Sequence, residues 1–227
     1  MKVLLAAATH LEIAALETHL KQHFIQAAPH RYQRGEVQIA LLITGVGLPM
    51  AAYALGKVIG ADEWDLAINA GIGGSLHQAF PPGTVVQVVS ERFADLGVEE
   101  ADGRFTDVHE LGLVEAGNSP FEKDGRMLNR GADEFDFLPR AHGISVNRVH
   151  GYEPSIEALR QKYPDAQVES MEGAAFFYAC ALERLPYLQI RAISNWVEKR
   201  DRSRWQVEPA LEQLNGTLIE LVQSLFA

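Results

Sequence analysis

Cysteine is almost missing: Cys180 is the one such residue among 227. An internal disulfide is excluded, and a reducing compartment, the cytoplasm, is expected. Long apolar runs are also missing. The stretch MKVLLAAATH is short and charge returns at Glu12, so it predicts a buried first strand rather than a signal peptide. No run is long enough to cross a bilayer, and no membrane partner is expected. Basic runs are absent: 20 Lys and Arg face 30 Asp and Glu, a net charge of −10. A nucleic-acid backbone is a poor partner for such a chain. There is no P-loop and no G-x-S-x-G elbow. The eight histidines show no metal-ligand spacing, with His10, His19 and His23 scattered, so no metal is expected. Cys180 lies in an apolar helical stretch and reads as a packing residue.

What the chain does have is apolar residues at 47%, enough for one α/β domain spanning residues 1–227. Continuous apolar runs at 3–8, 37–44, 66–69, 84–90 and 188–194 predict strands buried on both faces. Strand-like segments are also expected at 141–149 and 168–171. Amphipathic or apolar segments at 11–20, 49–59, 154–162, 172–185 and 208–226 predict helices. The alternation argues for a three-layer α/β/α arrangement around a central twisted mixed sheet. Residues 91–140 are polar and glycine-rich, and are expected to be loops with a strand or two, forming a flap or rim.

Candidate groups fall at strand ends, where α/β sheets place their ligands. Gly45-Val46-Gly47 precedes a helix, but Met50 stands where a dinucleotide fingerprint needs its third glycine, so no NAD or other cofactor is expected. Gly71-Ile72-Gly73-Gly74 implies either unusual backbone angles or very close approach of a flat group, and it reads equally as a structural strand-to-loop turn. Glu172 stands among Met171, Gly173, Ala174 and Ala175, and a carboxylate in such surroundings needs partners. Glu12 suits a first helical turn, where acids favour the helix dipole. Asn195 could cap the next segment or offer its amide to a ligand. Arg200, Arg202 and Arg204 could hold a carboxylate, or simply be solvated.

Taken together, MKVLLAAATHLEI, INAGIGG, SMEGAA and RAISN resemble the nucleoside phosphorylase/nucleosidase family over nearly the whole chain, above all its methylthioadenosine/S-adenosylhomocysteine nucleosidases. The resemblance implies N-glycosidic bond cleavage of a small nucleoside. It puts Glu12 on the water-activating position, Met171 and Glu172 on the ribose, and Gly73 near the base. It puts Asn195 where those nucleosidases carry an aspartate at purine N7. Val149, in SVNRVHGY, is expected beside the base. Ile72 departs from the family, which usually carries a small polar residue there. RAISNWVEKR with Trp205, and ERFADLG at 91–97, resemble the branch that hydrolyses futalosine to hypoxanthine in menaquinone biosynthesis. Asparagine cannot protonate a leaving base, but its amide can donate to N7 or O6. A 6-oxopurine is therefore expected over adenine. No arginine lies in the sequence segment of Glu12 or beside the Gly45 turn, so water is expected as nucleophile rather than phosphate.

The competing readings are an adenosine-type nucleosidase acting on methylthioadenosine or aminodeoxyfutalosine, a 6-oxopurine nucleoside phosphorylase, and a non-catalytic nucleoside-binding protein. Arg104, Arg130, His109 or the Arg200 cluster are candidates for the carboxylate of the 5′-substituent. The resemblance also implies a homo-oligomer, a dimer or larger.

Overall fold

A computed structural model describes residues 1–132 and 136–226. The chain opens with strand β1 (Lys2–Ala7), a 3-10 turn (His10–Ile13) and helix α1 (Ala14–His23). A hairpin of β2 (Ile25–Ala28) and β3 (Arg31–Arg34) leads into β4 (Val37–Ile43), α2 (Leu48–Ile59), β5 (Leu66–Ser75) and β6 (Val85–Glu91). The polar excursion carries β7 (Gly97–Glu99), β8 (Phe105–Asp107) and β9 (Met127–Leu128). Then come β10 (Arg140–Ser145), α3 (Glu153–Lys162), β11 (Val168–Ser170), α4 (Gly173–Leu182), β12 (Tyr187–Trp196) and α5 (Val207–Ser224).

The sheet is mixed, in the order β11-β10-β6-β12-β5-β1-β4-β3-β2. β11 also pairs with β5, antiparallel, so five of these strands close on themselves. The central strands are apolar on both faces because both faces are covered. Val3, Leu5, Ile68 and Ile190 pack against Leu16 and Leu20 of α1 and Leu214 and Leu218 of α5. Leu4, Ala6 and Ala67 pack on the other side against Leu55 of α2 and Phe176 and Phe177 of α4. α4 is apolar nearly all round because it is buried there. The three-layer expectation therefore holds.

Three local expectations change. Gly71 to Gly74 do not form a turn: β5 runs through them to Ser75, and none has a positive φ. Their role is clearance. A Cβ at Gly71 would sit 2.8 Å from Glu12 Oε1, and one at Gly73 would sit 2.9 Å from Val168 Cγ1. The strand expected at 141–149 ends at Ser145, and Val149 instead packs, half-buried, on a small cluster with Ile144, Val146 and Leu159. Asn195 lies inside β12, not beyond it, just after an irregularity between Ile193 and Asn195.

Among its described residues the excursion at 91–140 has little core of its own. β7 and β8 form a separate two-stranded ribbon. Ion pairs tie it down: Lys162 of α3 reaches Asp107 and Glu110, and Asp165 holds both Arg92 and Arg126.

Candidate active site

Three segments meet at the C-terminal ends of β1, β5 and β12. The first is the turn after β1. Glu12 reaches back to its own helix start, where its Oε2 accepts from Thr9 N at 2.9 Å, as acids in a capping box do. Its Oε1 accepts from Ile72 N at 3.1 Å, which binds the turn to β5. Side-chain identity at position 72 is immaterial to that contact, because the backbone makes it.

The second segment is the start of α4. Glu172 is the N-cap residue, and its Oε1 accepts from Gly47 N at 2.9 Å. Gly47 has φ 95° and opens α2. Its N–H is one of the donors a helix start leaves unpaired. The next one, Leu48 N, donates to Asn147 Oδ1 at 3.2 Å, and Asn147 N in turn donates to Asp95 at 2.6 Å. Burial pushes the Glu172 carboxyl above its ordinary pKa. The positive field of Arg191 and the Gly47 N–H oppose that, while the Glu12 charge adds to it.

The third segment is β12. Arg191 is 1% exposed, among the most buried charges in the protein. Its Nη1 donates to Ile190 O at 3.0 Å and lies near Gly71. Its Nη2 donates to Asn69 Oδ1 at 2.5 Å. It adds a positive field at both Glu172 and Glu91. Beyond it, Asn195 is held on two sides. Its Nδ2 donates to Trp196 O at 2.8 Å, and its Oδ1 accepts from Ser194 Oγ at 2.8 Å. A carbonyl can only accept, so the NH2 side must face Trp196, and one Nδ2 hydrogen is left for a ligand.

Below these lies a buried polar layer. Glu91 accepts from Gln189 Nε2 at 2.6 Å and from Ser145 Oγ at 3.0 Å. Complete burial pushes its carboxyl up to about 7. Gly173, next to Glu172, makes room for it: a Cβ there would meet Glu91 Oε1 at 2.0 Å.

Glu12, Glu172, Asn195 and Gly73 are thus brought to one end of the sheet. Met171 adjoins Glu172 and is half-buried. Val149 packs on the same small cluster as Leu76, which follows directly on β5. The reading from sequence missed Arg191, Glu91 and Gln189. A lone cation inside the apolar run LQIRAIS was the available signal, since a buried charge must have partners. Arg130, a candidate for the 5′-carboxylate, lies elsewhere. It lines a cavity of about 640 Å³ with Cys180 and Tyr187, and Tyr187 begins β12 whereas Asn195 nearly ends it. Arg104 is exposed beside Asp102, and His109 packs on Phe121. Among the described residues no group of three or more His, Cys, Asp or Glu could hold a metal ion.

Residues 2–227 match the phosphorylase superfamily. The chain is 33% identical over 190 residues to the futalosine hydrolase of Streptomyces coelicolor, covering 82% of this chain and 79% of that one. It is 25% identical to the 5′-methylthioadenosine/S-adenosylhomocysteine nucleosidase of Maridesulfovibrio salexigens, covering 99% of this chain and 98% of the relative. The fold matches the crystal structure of the Neisseria meningitidis 5′-methylthioadenosine/S-adenosylhomocysteine nucleosidase in complex with methylthio-immucillin-A. That match has a TM-score of 0.75 at 22% identity, over 98% of this chain and 99% of that one. The chain belongs to the phosphorylase superfamily.

Proposed function

We propose that the chain hydrolyses futalosine to hypoxanthine and dehypoxanthine futalosine, a step of menaquinone biosynthesis. That it is an N-glycosidic bond hydrolase acting on purine nucleosides follows from its relatives; the substrate is the proposal. The observation that carries it is the setting of Asn195. The Trp196 carbonyl beside it requires a donor, which an amide supplies and an ionised carboxylate does not. The remaining N–H can stabilise charge on N7 or O6 of a leaving 6-oxopurine, and an amide has no acidic proton to give to N7 of adenine.

The chemistry proceeds toward an oxocarbenium-like transition state. Glu12, already fixed by Thr9 and Ile72, takes a proton from water below C1′. The water oxygen bonds to C1′, and the C1′–N9 electron pair leaves with the purine. Arg191 sits beside Glu12 at Gly71 and orients that water. Glu172 accepts from the ribose 2′- and 3′-hydroxyls. The two carboxylates favour the positive charge developing on the sugar. Gly73 and Met171 line the nucleoside, with Val149 behind the base.

Water is preferred to phosphate because the helix-start donors Gly47 N and Leu48 N are already engaged by Glu172 and Asn147. A phosphate there would have to displace a carboxylate and then lie beside it. The protein is proposed to work in the cytoplasm as a homo-oligomer. Leu11, Met50 and Tyr53, 64%, 59% and 74% exposed, offer apolar surface around the Glu12 turn and α2.

The second reading, methylthioadenosine/S-adenosylhomocysteine nucleosidase, draws on the end-to-end match to the relative from M. salexigens. One experiment separates the readings. The protein is incubated with futalosine or methylthioadenosine, with and without phosphate, and free base is followed. Hypoxanthine released at the same rate in both buffers is the expected result. Release only with phosphate overturns hydrolysis, and faster release of adenine overturns the choice of substrate.

A further inference from the structure

His150 and Glu169 form a pair that the nucleosidase chemistry above does not use. Glu169, in β11, is 3% exposed. Both of its oxygens go to the same residue: Oε1 accepts from His150 N at 3.0 Å, and Oε2 pairs with His150 Nδ1. Two contacts on one residue fix the imidazole ring, and Nε2 is the ring atom left for a ligand. Among the described residues Nε2 takes no partner.

The sheet register places this pair across the site from Asn195. Gly74 of β5 is paired on one side with Asn195 and on the other with Glu169. Asn195 and Glu169 therefore stand two strand spacings apart, roughly 10 Å, with a bare glycine between them. A Cβ at Gly74 would come within 3.3 Å of Asn195 Nδ2, so the absent side chain keeps that floor flat. The turn carrying His150 is also tied to the chain that follows Asn195, through Arg200 N donating to Gly151 O at 3.0 Å.

We propose that His150, held by Glu169, reads the 6-position of the purine and so sets the base specificity of the site. This rests on the nucleosidase reading. Asn195 takes the N7 side of the base, and His150 Nε2 takes the adjoining O6 edge. As an imidazolium, in which both ring nitrogens donate, the ring gives Nε2–H to an oxo group and opposes the N–H of an amino group. The same hydrogen bond strengthens as charge moves onto O6 of the leaving base, supplying stabilisation that Asn195 alone gives only in part.

The test uses His150→Ala and His150→Gln in the full chain, with folding checked by thermal melting. Binding of free hypoxanthine and free adenine is measured by calorimetry, alongside kcat/KM for futalosine and methylthioadenosine. His150→Ala is expected to weaken hypoxanthine binding and lower futalosine kcat/KM by about 10- to 100-fold, with adenine binding unchanged or improved. His150→Gln, which keeps a donor, recovers part of the loss. A hypoxanthine-to-adenine affinity ratio equal to that of the unaltered protein overturns the proposal, as does an equal loss for both bases. If the unaltered protein prefers methylthioadenosine, the substrate reading fails on its own, and the base-affinity ratio still judges His150. Glu169→Gln serves as the second variant: a ratio shifted as in His150→Ala supports the pair, and an unchanged ratio overturns it.

Discussion

Asn215 of α5 holds the main chain of Glu12, 203 residues away in sequence: its Nδ2 donates to Glu12 O at 3.0 Å while its Oδ1 accepts from Leu16 N at 2.8 Å. The amide clamps the turn that aims the Glu12 carboxylate, and it is itself 5% exposed. Asn215→Ala leaves a buried N–H and a buried C=O without partners. The expected cost is about 1–3 kcal/mol in urea unfolding, with kcat lowered more than KM. A variant of unchanged stability and unchanged kcat would show that the clamp does not position the turn.

Glu12→Gln keeps the shape of the side chain and removes its basicity. A positioned base contributes typically about 10²- to 10⁴-fold. Turnover of futalosine should fall by that order while the dissociation constant for hypoxanthine stays within a few-fold. Near-normal turnover removes Glu12 from the role of base.

Arg191→Met removes the guanidinium whose positive field reaches Glu172 and Glu91 and whose Nη1 shares the space at Gly71 with Glu12. Breaking a buried charge arrangement on one side typically costs about 3–5 kcal/mol, and lysine does not replace the forked donor that meets Ile190 O and Asn69. Both Arg191→Met and Arg191→Lys should therefore melt earlier and turn over more slowly. A lysine variant with full stability would mean that charge alone matters at this position.

Stability should depend on pH in two windows of opposite sign. Glu91 is held near 7, above its ordinary value of 4.5, so the folded state keeps a proton the unfolded chain releases. Its contribution is complete below pH 4.5 and is lost as pH rises to about 7, by an amount of order 3 kcal/mol. The raised carboxyl of Glu172 acts in the same direction. Glu17 behaves oppositely. Burial would raise it, but His10, Tyr32, Lys21 and His30 hold it at about 2, so its contribution is lost as pH falls from about 4.5 toward 2. In melts across pH, Glu91→Gln should flatten the loss between pH 5 and 7 and leave the acid limb alone. An upper limb as steep as before would show that another group drives it.

Much of the fold was legible because burial on both faces writes itself as continuous apolar strands. Val3 to Ala7 and Leu188 to Ile193 have no polar face except at Gln189 and Arg191, and those two exceptions mark the buried polar layer. The hairpin Ile25 to Arg34 left no comparable trace, since its outer strand is largely exposed and its apolar alternation is weak. The glycines of β5 looked like a turn because glycine signals both freedom and clearance, and only the neighbouring Glu12, Val168 and Val197 show that clearance is the reason. Asn195 was read at the site from its motif, but its partners Ser194 and Trp196 O were not visible, because adjacent residues in a regular strand point apart and the local irregularity brings them together.

By itself the sequence determined the layered α/β class, because that follows from local pattern, and the candidacy of Glu12, Glu172 and Asn195 came from the resemblance of their motifs to a family. Tertiary structure decided what those groups meet. Arg191 beside Glu12, Gly47 N on Glu172, Asn215 behind the Glu12 turn and Glu169 across Gly74 from Asn195 are pairings between residues 26 to 203 positions apart. Closing the strands on one another fixes those pairings, and no local periodicity encodes them.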